Sequence, residues 1–255
     1  MIELKNVSAG YQGKTVVQDV DLTFERGKIT ILVGPNGSGK STLLKSMVGI
    51  LPCTMGEIIV NGISAKEMNA KQLAKITAYL AQNKKAPDIS VMKMVLHGRF
   101  PHLGYPRKYR PIDLEKAKRA INWAGLEAET ETLVSKLSGG MQQKVYIAMA
   151  LAQDTEVILM DEPTAYLDVA HQLRLMEMVK KLAKEGKTIV MVLHDLTQAM
   201  QIADRVVVMK EGRIISQGSP EEIYINKSLE EAFGVKIQKL QTEEGETVWH
   251  YSHFL

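Results

Sequence analysis

One short segment restricts the possible folds of this chain more than any other. It matches the phosphate-binding loop pattern G-x-x-x-x-G-K-[ST] as Gly34-Pro35-Asn36-Gly37-Ser38-Gly39-Lys40-Ser41. An apolar run from Lys28 to Val33 precedes the segment and predicts a buried strand, and a helical pattern follows from Ser41. By itself the segment could be a plain glycine turn, but the strand-loop-helix context favours a phosphate site.

The chemistry of such a loop predicts specific roles for its residues. The glycines allow backbone N–H groups to point inward around phosphate oxygens, and the helix that starts at the end of the loop adds a positive dipole. Lys40 is expected to reach the β- and γ-phosphates of a nucleotide, and Ser41 is expected to ligate Mg²⁺. We include Thr42, the next residue, among the nucleotide-binding residues.

A second apolar run, Val157 to Met160, ends in the carboxylates Asp161 and Glu162. Asp161 suits the shell of a Mg²⁺ ion bound to nucleotide phosphates. Glu162 is then placed to polarise a water molecule for attack on the γ-phosphate. Alone, this pattern is more typical of an ordinary strand end at the surface. Its position after a phosphate-binding loop makes the catalytic interpretation strong.

A third segment, Leu137-Ser138-Gly139-Gly140, stands at the start of a helical pattern. Two glycines at a helix start leave backbone N–H groups available, and Ser138 adds a hydroxyl. The segment therefore predicts a second helix terminus that binds an anion. Without the other motifs, a plain loop would be the better interpretation.

Together these motifs resemble the ABC ATPase family. The likeness includes Gln82, Ala165-Tyr166-Leu167-Asp168 and His194, in the order usual for that family, and it covers most of the chain up to about residue 235. It implies an α/β fold: a P-loop NTPase core, an antiparallel β subdomain and an inserted helical subdomain. We expect one ABC ATPase domain over residues 1–255, with the helical insert at 84–154 and a C-terminal extension at 236–255.

The resemblance also implies an assembly. Two copies of such a domain face each other head to tail, with ATP between the phosphate-binding loop of one copy and the glycine segment of the other. Ser138, Gly139 and Gly140 would then contact the ATP held by a second copy of the chain. The position after these glycines is usually glutamine in the family, and here it is Met141. Backbone N–H groups and the serine hydroxyl are the expected phosphate contacts, so function should survive this departure.

Four further residues acquire roles from the resemblance. Gln82 corresponds to the residue that senses Mg²⁺ and links to the membrane partner, and Asp168 to a contact between the two copies. His194 corresponds to the residue that grips the γ-phosphate, and Tyr11 to the aromatic that stacks on adenine. Each has an ordinary alternative. Tyr11 could be a core or surface aromatic, Gln82 a polar strand end, and His194 a structural residue before Asp195, the expected N-cap of a helix.

Composition excludes some other classes of function. The chain has 255 residues, 45% of them hydrophobic, and a net charge of +3 that is dispersed rather than clustered, so no nucleic-acid partner is expected. The single cysteine, Cys53, permits no intrachain disulfide and indicates a reducing compartment. The first residues carry no signal peptide, and the longest apolar run, Val145 to Ala152, is too short to span a bilayer. A transport role would therefore need a separate multi-span permease, with this chain at the cytoplasmic face of the membrane.

The class of transporter is indicated only by resemblance. Segments similar to those of iron-siderophore, haem and cobalamin importers are 95–104, 164–168 with His171-Gln172, 192–196 and 229–235. Such a system would also use a substrate-binding protein. Manganese and zinc importers have related segments and remain the alternative.

Other classes of P-loop protein fit the sequence less well. A non-transport ABC ATPase would be expected to show tandem domains or a long coiled coil, and a P-loop kinase or GTPase would lack the Ser-Gly-Gly helix. The loop from about Asn83 to Val91, with the helical insert, is expected to form the groove for a permease helix.

Overall fold

A computed structural model of the chain describes residues 1–82, 86–242, 245 and 247–253. These residues form two compact units. The first consists of Met1–Met68 together with Met178–Leu255, and the second of Asn69–Glu177. Within the described residues, no helix combines the length and the apolar character needed to cross a bilayer.

The first unit contains an antiparallel sheet in the strand order β2-β1-β4-β5. The alternating apolar and polar residues of Ile2 to Val7 predict a half-exposed strand, and β1 confirms this: Ile2 and Leu4 are buried, while Lys5 is exposed. The strands are β1 (Ile2–Tyr11), β2 (Lys14–Phe24), β4 (Cys53–Val60) and β5 (Ile63–Ser64).

The same unit contains a mainly parallel group of strands in the order β10-β9-β3-β8. β3 pairs in parallel with both β8 and β9, so that Leu32 lies beside Val192 and Val207. β3 and β8 are buried along their whole length, as expected for continuous apolar runs in a sheet covered on both faces. The strands are β3 (Ile29–Val33), β8 (Thr188–Val192), β9 (Arg205–Lys210) and β10 (Arg213–Gly218).

Helices and a hairpin complete the first unit. Helix α7 begins after Asp195, whose side chain accepts a hydrogen bond from the Gln198 N–H at 3.1 Å, which confirms the predicted N-cap. The end of the chain forms an antiparallel hairpin that packs on α7, with Trp249 buried. These elements are α1 (Lys40–Met47), α7 (Leu196–Ile202), α8 (Pro220–Ile225), α9 (Ser228–Phe233), β11 (Val235–Gln241) and β12 (Thr247–His253).

The second unit combines two parallel strands with a helical cluster. β6 and β7 pair so that Leu80 lies beside Met160, and the carboxyl ends of the two strands therefore lie together. Helices α3, α4 and α5 share an apolar core that includes Val95, Ile121 and Val145. The elements are α2 (Ala70–Ile76), β6 (Thr77–Leu80), α3 (Val91–His97), α4 (Pro111–Ala124), α5 (Gly139–Ala152) and β7 (Val157–Asp161). Helix α6 (Val169–Lys184) begins in this unit.

The sequence pattern at the start of α4 suggests Asp113 as its N-cap, and this is wrong. The helix begins at Pro111, and Arg110 is the N-cap residue. Proline is favoured at the first helical position because its fixed φ suits a helix and its missing N–H needs no partner there. Asp113 instead accepts a hydrogen bond from the Arg110 N–H at 3.0 Å. The same pattern predicts that the helix stops at Gly125, and the left-handed φ of 63° at this C-cap glycine confirms it.

Candidate functional site

The phosphate-binding loop lies between the carboxyl end of β3 and the start of α1. The Lys40 side chain is buried, and its ammonium donates hydrogen bonds to the carbonyl oxygens of Gly34 at 2.7 Å and Pro35 at 3.0 Å. The Ser38 N–H donates to the Pro35 carbonyl at 3.2 Å, which closes the turn. The loop thus curls around the lysine ammonium, as a phosphate-binding loop requires.

Two neighbouring elements fix the position of this loop. A Cβ atom on Gly34 would lie 2.1 Å from the Met209 carbonyl oxygen on β9, so only glycine fits there. The Gly212 N–H donates to the Ser38 carbonyl at 3.2 Å. Sequence reasoning did not select Met209 or Gly212, because both act through backbone atoms that lie far from the loop in the sequence.

Tyr11 and His194 belong to the same unit as the loop. His194 directly follows β8, and the phosphate-binding loop directly follows β3. Because the two strands are parallel, His194 and the loop lie at the same edge of the sheet. The Tyr11 ring is about half exposed, and the Lys45 ammonium of α1 lies 5.9 Å from its centroid. An exposed aromatic face beside the helix that follows the loop is available for stacking.

In the second unit, three predicted site residues meet where β6 and β7 end. Asp161 is buried at the end of β7, and Glu162 is the next residue. The Gln82 amide nitrogen donates a hydrogen bond to a Glu162 carboxylate oxygen at 2.5 Å. The parallel register brings these side chains together although 80 residues separate Gln82 from Glu162.

Tyr79 is a member of this group that the sequence did not reveal. Its hydroxyl donates a hydrogen bond to Asp161 Oδ2 at 3.2 Å. The bond directs one carboxylate oxygen toward β6 and so orients the other. Only the pairing of β6 with β7 creates this contact, and a single tyrosine in a short strand carries no signal for it.

The glycine segment begins α5, as the sequence predicts. Ser138 is the N-cap, and its hydroxyl accepts a hydrogen bond from the Met141 N–H at 3.4 Å. Ser138 and Gly139 are exposed, and the first N–H groups of a helix have no partner within it. The Met141 side chain packs against the apolar core of the helical cluster instead.

Asp168 stands directly before α6 and is exposed. Its carboxylate accepts hydrogen bonds from the His171 N–H at 2.9 Å and contacts His171 Nδ1 at 2.7 Å. These bonds, and more weakly the Lys144 charge, hold the pKa of Asp168 below its ordinary value. The residue therefore remains a carboxylate and is oriented at the surface.

The segment 95–104, which resembles importer sequences, has a structural role within the second unit. Arg99 is buried, forms an ion pair with Asp113 at 3.1 Å, and donates to the Ala152 and Gln153 carbonyl oxygens at 2.8 and 3.0 Å. His102 also contacts the Gln153 oxygen, at 2.8 Å, and burial lowers the pKa of its imidazole. These contacts satisfy the last carbonyl groups of α5.

The structure thus places the predicted site residues in two groups, one in each unit. The first comprises Tyr11, residues 34–42 and His194. The second comprises Gln82, Asp161, Glu162, residues 138–140 and Asp168. A buried strand, a glycine-rich loop around a lysine and a following helix define the class of P-loop nucleotide-binding proteins.

Comparison with known proteins specifies the family within this class. The model of the ABC transporter family matches residues 17–165. The chain therefore belongs to the ABC transporter family, as an ATP-binding and ATP-hydrolysing subunit.

Curated relatives cover nearly the whole chain. The iron(3+)-hydroxamate import ATP-binding protein of Bacillus subtilis (strain 168) is 39% identical over 92% of this chain and 88% of its own length. The ferric enterobactin transport ATP-binding protein of Escherichia coli (strain K12) is 36% identical over 91% of this chain and 86% of its own length. The manganese transport system ATP-binding protein of Bacillus subtilis (strain 168) is 32% identical over 94% of this chain and 95% of its own length.

Solved structures confirm the α/β architecture expected from the resemblance. An ABC transporter assigned to the metal-chelate type, in an inward-facing conformation, has a TM-score of 0.82 and 26% identity, covering 100% of this chain and 97% of that one. A dimeric ATP-binding cassette in a post-hydrolysis state, bound to ADP and phosphate, has a TM-score of 0.77 and 29% identity, covering 86% and 99%.

Proposed function

We propose that this chain hydrolyses ATP to drive the import of an iron chelate, haem or a cobalamin-like ligand through a separate membrane permease. The observation that supports this substrate class most directly is the ranking of the relatives. Proteins named for hydroxamate and enterobactin transport are 39% and 36% identical, whereas the manganese relative is 32% identical. The permease would work with a substrate-binding protein, and this chain would lie at the cytoplasmic face of the membrane.

For hydrolysis, Glu162 is the proposed group that polarises the attacking water. The hydrogen bond from Gln82 to one carboxylate oxygen orients the Glu162 carboxylate, which would polarise the water. Lys40 and the backbone N–H groups of Gly34 and residues 36–42 would bind the β- and γ-phosphates. Tyr11 would bind the adenine, and His194 the γ-phosphate. Removing the charge of Glu162 should therefore affect the rate and leave ATP binding intact.

The proposed Mg²⁺ ligands are Ser41, Gln82 and Asp161. Their hydroxyl, amide and carboxylate oxygens fit this ion, which prefers oxygen donors, and it commonly uses only one or two carboxylates together with substrate phosphates and water. When bound, the ion neutralises charge that develops on the phosphates.

The active form is proposed to be a dimer of this chain. Ser138, Gly139 and Gly140 would contact the ATP bound by the second copy, because the start of α5 exposes a serine and helix N–H groups. Asp168, exposed and ionised, would form a contact between the copies.

The proposed permease groove includes residues 83–91, of which 83–85 lie outside the described residues. The described part, 86–91, ends at Val91, the first residue of α3, directly after the N-cap Ser90. The helical insert at 84–154 and the extension at 236–255 remain predictions as separate domains.

Uptake in cells tests the proposal. In a strain that lacks this gene, uptake of radioactive iron supplied as ferric siderophores should be lost, and the wild-type gene should restore it. Glu162→Gln should not restore it, because a general base contributes about 10²- to 10⁴-fold to the rate. Glu177→Gln, a matched change at an exposed position of α6, should restore uptake fully.

Manganese uptake, measured in the same strains, distinguishes an iron-chelate importer from the alternative, a manganese importer. We expect it to be unchanged by the deletion. A deletion strain that takes up ferric siderophores normally but loses manganese uptake would contradict the iron-chelate assignment.

A further inference from the structure

Helix α5 buries a glutamine one turn after its exposed glycine segment. Gln143 is 7% exposed, and its amide nitrogen donates a hydrogen bond to the Pro163 carbonyl oxygen at 2.9 Å. Pro163 directly follows Glu162. Because a buried carbonyl group without a partner is destabilising, this bond fixes where the loop after Glu162 lies relative to α5.

The same loop approaches α5 at a second point. A Cβ atom on Gly140 would lie 3.1 Å from the Tyr166 carbonyl oxygen, so the loop backbone lies close against the first turn of the helix. Glu162 and Tyr166 have left-handed φ angles of 51° and 65°. Such angles are unfavourable for residues with a Cβ and persist only where the surrounding structure holds them. The shape of the loop therefore depends on its contacts with α5.

We propose that Gln143 is a positioning residue that joins two parts of the ATPase machinery within one chain. It ties residues 138–140, which face the ATP of the second copy, to the loop that carries Glu162, which acts on the chain's own ATP. This inference rests on the proposed function of those residues. Each composite site consists of the phosphate-binding loop of one copy and residues 138–140 of the other. Contact of residues 138–140 with the ATP of the second copy then sets the position of the Glu162 carboxylate beside the chain's own ATP.

The neighbouring glutamine provides a matched control. The Gln142 amide nitrogen donates to the Leu137 carbonyl oxygen at 2.9 Å, which keeps its bond within the segment that begins α5. Gln142 and Gln143 thus have the same side chain and lie on the same helix. Only Gln143 donates to the loop after Glu162.

Steady-state kinetics with the purified chain test the proposal. Gln143→Met keeps the size of the side chain and removes the donor. We expect kcat to fall roughly tenfold with KM unchanged, because misplacing a reacting group lowers the rate without weakening ATP binding. The Hill coefficient for ATP should fall toward 1, since the link between the two sites is lost. Gln142→Met should keep wild-type values of all three quantities.

A second measurement separates positioning from general damage. With Glu162→Gln also present, the Gln143→Met chain should still form an ATP-dependent dimer in size-exclusion chromatography. Loss of that dimer, or a Gln143→Met chain with wild-type kcat and Hill coefficient, would overturn the proposal.

If Gln143→Met does not fold, Gln143→Glu carries the same test, because it keeps the shape and loses the amide donor. Failure of both variants to fold would assign Gln143 a purely structural role and would also overturn the proposal. Full ATPase activity in Glu162→Gln alone would instead contradict the proposed function.

Discussion

Met141 illustrates how one residue can depart from a motif while the backbone around it keeps its role. Its N–H donates to the Ser138 hydroxyl, and its side chain packs with the apolar core of the helical cluster. Phosphate contacts at this helix start are expected from backbone N–H groups and from Ser138, not from the side chain at position 141. Replacing Met141 should therefore alter the packing of the helical cluster more than the rate of ATP hydrolysis.

We accordingly predict that Met141→Gln changes kcat by less than about tenfold, a barrier change of ~1.4 kcal/mol. Ser138→Arg, which fills the space where a phosphate would lie, should reduce ATPase activity far more. Phosphate release measured at saturating ATP compares the two. Equal losses in both variants would mean that the side chain at position 141 takes part in catalysis.

Some single residues were predictable and others were not. Lys40, Asp161 and Glu162 lie within contiguous motifs whose chemistry is local. The hydrogen bonds of Tyr79 to Asp161 and of Gln143 to Pro163 join residues 82 and 20 positions apart in the sequence. Their roles depend on strand pairing and helix packing, so no local pattern could indicate them.

Among the elements, α4 depends on a buried charge at its first turn. Asp113 is fully buried and accepts hydrogen bonds from Arg99 and Arg110. The hydrogen bond from Arg110 is the largest of the effects that hold the pKa of this carboxyl well below its ordinary value. Since the folded-state pKa is lower than that of the unfolded chain, the ionised carboxylate stabilises the fold above the unfolded value of about 3.9. This contribution is lost as the pH falls from there toward the folded-state pKa.

Asp113→Asn should therefore lower the free energy of unfolding at pH 7 by about 3–5 kcal/mol, the usual effect of breaking a buried ion pair. Urea unfolding at several pH values should show the difference from the wild type narrowing as the pH falls below about 4. Glu115→Gln, at an exposed position of the same helix, serves as the control and should have little effect. A difference that is constant with pH would show that the charge of Asp113 is not the cause.

At the scale of the whole molecule, the proposed dimer predicts that two inactive variants of the chain restore activity when they are mixed. Lys40→Ala removes the phosphate-binding lysine, and Ser138→Arg blocks the contact with the ATP of the second copy. Each alone should have at most about 1% of wild-type activity, the scale of losing a preorganised phosphate contact. A mixture should regain activity, because one mixed dimer can contain at most one intact composite site.

Glu162→Gln provides the structural readout for the same assembly. It should accumulate as an ATP-bound dimer in size-exclusion chromatography, and adding Ser138→Arg should return it to monomer. A mixture of the Lys40→Ala and Ser138→Arg chains that stays inactive, together with a Glu162→Gln chain that stays monomeric at high ATP, would contradict a dimer that forms without the permease.

The sequence by itself determined the features that depend on neighbouring residues. The phosphate-binding loop, the strand that ends at Asp161 and the helix start at Ser138 each follow from glycine geometry, apolar patterning and capping within about ten residues. Only the tertiary structure decided that Gln82 meets Glu162, that Met209 excludes any side chain at Gly34, and that Gln143 holds the loop after Glu162. The physical reason is that these contacts are set by strand register and by helix packing, which bring together residues that are far apart in the chain.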